Sequence, residues 1–464
     1  MSSPTRQPQL DIQLHVDHDP DLRPHRGARI EAHLRVDVAA TGAAADLPAV
    51  ELAVIIAVDV ADTHRAAVRH ALPSALRALP DGISFAVLGS GPEPRRCYPL
   101  GDVPWAVADQ DERRRAAFAA GAVPLHRDGP RPAGYAPWVA GARALLAARP
   151  MSVRHLLLIT DGSSARGEMR LEEELDSCAG QFTCDVFAVG TDWPPAPLLT
   201  LAERLHGSAE FVSDGLGSAI GTAVQRLRRV RTPELPIEVT VRPAVRRVAL
   251  NEKAPRPHRL GGQLRTGRPL SWSFPTYQWE PGSRDYQLTL VADPDTDPLE
   301  TELQFAMVSI GEVHRPVTAR WHRPRQSAPA GPASGGSVRT MNATTRMRTA
   351  LRAGLVALRE HERGDAERHL GQAARLATRF GGPNWVLDEI LEVAEIEDAP
   401  AGRIRLRSAV DGHALGSMIL RAGSHPGQLL ADTVGREPGP SCLHCDTPAG
   451  SEARHCIACG RRLL

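Results

Sequence analysis

Four cysteines near the end of the chain have the spacing of a metal site: Cys442-x2-Cys445-x10-Cys456-x2-Cys459, with Gly460 following. Two CxxC knuckles supply four soft thiolates, which Zn²⁺ accepts tetrahedrally. Four protein ligands leave no open coordination position, so the spacing predicts a structural zinc ribbon and not a catalytic centre. So short a segment buries little surface, and metal must hold its fold. His444 and His455 lie in the same stretch. With four cysteines present they are expected to face solvent.

A second set of residues offers oxygen. The apolar run Leu52–Val58 ends in Asp59-Val60-Ala61-Asp62-Thr63, and the apolar run His155–Thr160 ends in Asp161-Gly162-Ser163-Ser164. If both runs are parallel strands, both acids stand at the carboxyl ends, where open α/β sheets bind ligands. Carboxylates and hydroxyls there make a site for Mg²⁺ or Mn²⁺. The other reading is that Asp59 caps the helix that follows and Asp161 orders its own turn.

This arrangement resembles the von Willebrand factor type A (VWA) domain family. The family signature is Asp-x-Ser-x-Ser after the first strand and Asp-Gly after the fourth. The resemblance implies a metal-ion-dependent adhesion site with one coordination position left for a partner's acidic side chain. Asp59, Thr63 and Asp161 match that pattern. Ala61 stands where the first serine belongs and has no oxygen to offer. The family's third element, a threonine before a helix, falls in 127–138, which contains neither Thr nor Ser. Mg²⁺ demands near-octahedral geometry, so this degenerate set is expected to bind it weakly or not at all.

The resemblance runs from about residue 10 to the end. Val189-Gly190-Thr191-Asp192-Trp193, the turn Trp279-Glu280-Pro281-Gly282 before RDYQLTLV, the helical GDAERHLGQAARLA and the terminal ribbon follow in the order seen in a group of actinobacterial VWA proteins. Those proteins are similar to components of Ser/Thr kinase, phosphatase and FHA-domain signalling modules, a context implied by resemblance alone.

The elements that must position these residues follow from hydrophobic period. Residues 10–16 and 29–39 alternate apolar and polar and read as half-buried strands. In 49–231 continuous apolar strands alternate with helices, which predicts a mostly parallel sheet covered by helices on both faces, a Rossmann-like α/β domain. Pro73 should bend or interrupt the first helix. Residues 232–322 return to alternation and read as an antiparallel β-sandwich of about six strands. The strands of 1–48 are expected to complete that sandwich, so the α/β domain would be inserted in it. Residues 323–340 and 422–440 read as linkers. Residues 341–421 form a helical hairpin broken at Gly364-Asp365, with a third helix from Asn384 to about Glu397. The ribbon occupies 441–464.

Length and composition set the bounds. At roughly 100–200 residues per domain, 464 residues make several units. Lys+Arg number 55 and Asp+Glu 54, so no global field draws the chain to nucleic acid or an anionic membrane. Lys253 is the only lysine, an arginine bias suggesting a GC-rich bacterial genome. Residues 1–10 lack the apolar core of a signal peptide, and the best apolar run is too short to span a bilayer. A cytoplasmic protein is expected, and seven cysteines, four in the last 23 residues with Cys97, Cys178 and Cys184 scattered, do not make a disulfide framework.

No GxxxxGK[ST] loop and no GxSxG elbow occur in the sequence. Cys178 and Cys184 read as core residues, and Arg226, Arg228, Arg229 and Arg231 as a solvated helix end. The sum is a non-enzymatic scaffold or adaptor that binds protein partners through the VWA face. Two rivals stand beside it: a divalent-metal-dependent hydrolase using Asp59 and Asp161, and a nucleic-acid binder led by the ribbon. From Cys442 onward three arginines face Asp446 and Glu452, a weak footprint for phosphate.

Overall fold

The computed structural model describes residues 10–40, 50–61, 64–90, 93–123, 134–149, 153–162, 164, 170–190, 193–265, 270–294, 297–323, 336–380, 384–408, 410–424, 438–441 and 448–450. Thr63, residues 127–133 of the predicted loop, and all four ribbon cysteines lie outside them. Among the described residues no helix is long and apolar enough to cross a membrane.

Three strands open the chain: β1 (Leu10–His18), β2 (Asp21–Leu22) and β3 (Ala28–Ala40). An alternating region follows: β4 (Leu52–Asp59), α1 (Arg65–Arg77), β5 (Ser84–Gly89), β6 (Arg95–Tyr98), β7 (Ala106–Val107), α2 (Gln110–Ala120), α3 (Ala136–Leu146), β8 (Val153–Thr160), α4 (Leu171–Cys178), β9 (Thr183–Ala188), α5 (Pro195–Arg204), β10 (Ala209–Phe211) and α6 (Leu216–Arg228). Then come β11 (Thr232–Glu234), β12 (Ile237–Val241), β13 (Val245–Ala254), β14 (His258–Arg259), β15 (Gln263–Arg265), β16 (Leu270–Phe274), β17 (Tyr277–Trp279), β18 (Gly282–Ala292), β19 (Glu302–Ile310) and β20 (Val313–Trp321). The last part holds α7 (Gly336–Arg359), α8 (Arg363–Phe380), α9 (Asn384–Val393), β21 (Ala394–Asp398), β22 (Arg403–Leu406), α10 (Gly412–Ser424), β23 (Pro438–Ser441) and β24 (Pro448–Gly450).

The chain divides into two compact units. Val38–Leu235 with Pro275–Gly282 belong to the first; Ile12–Asp37, Pro236–Phe274 and the chain from Ser283 belong to the second.

The first unit is built on a sheet of order β10-β9-β8-β4-β5-β6, with β7 on β5. The pairings β4–β5, β4–β8, β8–β9 and β9–β10 are parallel, and β5–β6 is antiparallel. Every residue of β4 is buried, as a central parallel strand covered on both faces requires. One covering layer uses Val68, Leu72 and Leu76 of α1 with Ile220, Val224 and Leu227 of α6, all in one core cluster with Val54, Ile56 and Val58. Trp138 and Val139 of α3 are fully buried as well. α1 continues through Pro73, so of the bend or interruption expected there no interruption occurs.

The second unit holds two larger sheets, of order β1-β3-β18-β13-β14 and β15-β16-β12-β19-β20-β2. β3 lies next to β18, so the opening strands share a sheet with segments beyond the α/β region. In β3 every second residue from Ala28 to Val38 is buried, the period of a strand with one face on a core. Helix α7 reaches the other face: Gln287 of β18 donates to Asn342 (2.8 Å), which donates to Glu31 of β3 (2.7 Å).

Several boundaries differ from the sequence reading: α10 ends at Ser424 and β23 begins at Pro438, both inside the predicted linker 422–440. α7 begins at Gly336, inside the predicted linker 323–340. The third helix stops at Val393, and Ala394–Asp398 pairs instead with β22 across a turn where Gly402 takes φ +72°. The alternation of AEIED wins there over helical propensity because IRL lies opposite to pair with it.

Candidate functional site

The chain passes from β4 to β5 on one side, then returns to β8 on the other side of β4. The topological switch point therefore lies between β4 and β8, at their carboxyl ends. Asp59 is the last residue of β4, and Asp161 follows the last residue of β8. The Asp161 N–H donates to the Asp59 carbonyl (3.2 Å), so residues a hundred positions apart meet at one rim.

Both carboxylates are embedded: Asp59 is 0% exposed and Asp161 5%. Each is held by donors from the protein. Ser164 Oγ donates to Asp59 Oδ1 (2.6 Å), and Thr160 Oγ1 donates to Asp59 Oδ2 (2.8 Å). Thr160 Oγ1 in turn accepts from the Gly162 N–H (3.0 Å) and lies 3.2 Å from the Tyr135 hydroxyl. With its proton committed to Asp59, Thr160 accepts from Tyr135, which fills its one donor and two acceptor places. Asp161 Oδ2 accepts from the Ala61 N–H (2.7 Å) and from His64 Nδ1 (3.0 Å).

Two glycines let these turns close. Gly162 has φ +79°, and a Cβ there would come 2.5 Å from Trp193 Cα. Gly190 has φ +74°, and a Cβ there would come 2.5 Å from His64 Nε2. Trp193 is 1% exposed and donates from Nε1 to the Gly190 carbonyl (2.9 Å), so the turn after β9 backs the turn after β8. The His64 side chain, 33% exposed, is the part of the His64–Asp161 pair that meets solvent; the Asp161 side chain is 3% exposed.

Residues 52–211 match the von Willebrand factor type A domain family. With the acids of β4 and β8 at one switch point, the match settles this region. Residues 52–211 are a von Willebrand factor type A domain. A solved structure described as von Willebrand factor type A from Catenulispora acidiphila is similar at a TM-score of 0.77 and 21% identity, over 92% of this chain and 99% of its own. The ArnB paralog VWA2 from Sulfolobus acidocaldarius is similar at 0.52 and 10% identity, over 89% and 98%. At these identities the likeness shows the fold. No curated protein matches the chain.

The VWA fold implies a divalent cation at this rim, and the described residues do not fit one. Ala61 brings a methyl group and a backbone N–H where an oxygen ligand is needed. Both Asp59 oxygens and one Asp161 oxygen already accept from protein donors. Among the described residues no three of His, Cys, Asp and Glu gather as a metal site.

The structure thus brings Asp59 and Asp161 together, while Thr63 and Cys442, Cys445, Cys456 and Cys459 lie outside the described residues. Sequence reading missed Thr160, Ser164, Tyr135 and His64. Ser164 lies three residues past Asp161, and its hydroxyl there was the signal available. Tyr135 sits where the family places its threonine loop, and a hydroxyl of any kind in 127–138 was the signal available. His64 carried none, being one residue past the signature.

Other predicted features resolve as structure. Cys178 and Cys184 are buried, and burial with Glu174 alongside pushes the Cys178 thiol up to about 12, so neither is a thiolate at neutral pH. Arg226, read as solvated, reaches back to buried Asp185 (2.5 Å), which also lies 3.1 Å from His155 Nε2. Burial would raise the Asp185 carboxyl, but Arg226 and His155 hold it well below the usual carboxylate range.

Proposed function

We propose that this chain is a non-catalytic scaffold or adaptor that docks protein partners at the carboxyl edge of its VWA domain. The observation that carries this reading is the pair Asp59 and Asp161 at the switch point between β4 and β8, with His64 over the outer acid. VWA domains are generally interaction modules, and this rim is where such a sheet presents a ligand face. The adhesion site is degenerate, lacking an oxygen at Ala61. Cys442, Cys445, Cys456 and Cys459 hold a structural Zn²⁺, and the ribbon with the α7–α8 hairpin adds contact surface. The protein acts in the cytoplasm, in a signalling module of the kinase- and phosphatase-linked kind that the sequence resemblance implies. Phosphoester hydrolysis by the two acids has less support, since a hydrolytic metal needs the carboxylate oxygens that protein donors here engage.

The test is affinity capture from cell extract with the full chain, beside the rim variant His64→Glu checked by circular dichroism for an intact fold. A partner recovered by the wild type and lost by the variant supports docking at this face. Recovery of the same proteins by both, or of none by either, refutes it.

A further inference from the structure

We infer that the VWA face of this protein works without a divalent cation, because His64 and the Ala61 N–H supply to Asp161 what a cation supplies elsewhere in the fold. This rests on the docking reading above and names the contact it uses. Three observations converge. Both oxygens of Asp59 accept from buried hydroxyls, Thr160 at 2.8 Å and Ser164 at 2.6 Å, so its charge is spread over short hydrogen bonds inside the protein. The position that would give the first ligand hydroxyl gives instead a backbone N–H, a donor aimed at Asp161 Oδ2 at 2.7 Å. A cation ligand must be an electron-pair donor, and neither the Ala61 methyl nor its N–H offers a pair. Finally, His64 Nδ1 lies 3.0 Å from that oxygen.

The seat of His64 is built for it. Gly190 takes φ +74°, and any Cβ there would come 2.5 Å from Nε2 and 2.8 Å from Cε1 of the imidazole. The turn after β9 is thus shaped around the ring. Asp59 and Asp161 lie behind it, so a docking partner meets His64 first and the acids act through it. Asp161 is a positioning residue for that imidazole, and Asp59 holds the turn that carries Asp161.

The experiment is thermal unfolding of the full chain with and without millimolar Mg²⁺ or Mn²⁺, on four proteins: wild type, Asp161→Asn, the double variant Ala61→Ser with His64→Ala, and that double variant with Asp161→Asn added. A ligand that binds the folded state raises the midpoint in proportion to ln(1 + [L]/Kd). Wild type and Asp161→Asn should respond equally to either cation, since no response runs through this site. Removing the ring and restoring a hydroxyl should open the site, giving an added Mn²⁺-dependent rise of about 2 °C or more. Adding Asp161→Asn should abolish that rise. A cation response of the wild type that Asp161→Asn removes would overturn the inference. So would a double variant as silent as the wild type, since His64 and Ala61 would then not be what excludes the ion. No partner enters this measurement, so failure of this inference and failure of the docking reading are seen separately.

Discussion

At the scale of single residues, the rim depends on side chains that can do only one thing where they are. Asp59 terminates two buried hydroxyls, so Asp59→Ala strands Thr160 and Ser164. An unsatisfied buried donor costs about 1–3 kcal/mol, and the two together should lower stability by a few kcal/mol in urea unfolding. Asp59→Asn should cost less, because its amide oxygen still accepts from one of them. Gly162→Ala meets both a left-handed backbone and the Trp193 backbone at 2.5 Å. Strain of this kind is about 1–3 kcal/mol before any clash is counted, so Gly162→Ala should lower the midpoint by several degrees. An unchanged midpoint would show that the turn after β8 shifts freely.

Elements decide how charge is carried in the second unit. β13 and β18 pair Glu252 with Tyr286, and both side chains face inward, 3% and 0% exposed. His258 Nε2 of β14 is 3.6 Å from Glu252, and Arg284 Nη1 is 4.0 Å away. Burial pushes the Glu252 carboxyl up to about 7, Arg284 opposes that, and Asp285 adds to it. The folded state then holds a proton that the unfolded chain releases at its ordinary value near 4.5. The resulting stabilisation is complete below about pH 4.5 and is lost as pH rises through about 7. Glu252→Gln should remove this fall, leaving the variant more stable than wild type by on the order of 2 kcal/mol at pH 8. Denaturant unfolding at pH 5 and pH 8 checks it, and equal pH slopes in both proteins would contradict the assignment.

At the scale of the molecule, chain order and structural unit part company. Pro275–Gly282 belongs with the VWA unit although it lies 40 residues beyond its main segment, Val38–Leu235. Trp279 in that segment is 0% exposed, its carbonyl accepts from the Arg231 N–H (2.7 Å), and Gln278 Nε2 lies 3.2 Å from His155 Nδ1. A fragment ending at residue 235 lacks these contacts. Burying a Trp is worth about 3–5 kcal/mol against Ala, so Trp279→Ala in the full chain, like that fragment, should unfold at markedly lower denaturant. The ribbon is tested on the whole chain too. Elemental analysis should find about one zinc per chain, lost in Cys456→Ser.

What the amino-acid order determined by itself was local and periodic. The continuous apolar run of β4 and the alternation of β3 follow from how a strand's two faces meet the core. The two acids were legible because they stand directly after the apolar runs that become neighbouring parallel strands, at the end where open α/β sheets present a ligand face. Only the tertiary structure decided which groups those acids serve. Thr160, Ser164 and His64 reach them, and Tyr135 reaches Thr160, across separations of up to 105 residues, and hydroxyls and imidazoles are too common for spacing to mark them. The same holds for Gln278 and Trp279, whose environment is made by distant strands. Burial depends on what folds over a residue, and no window of sequence contains that.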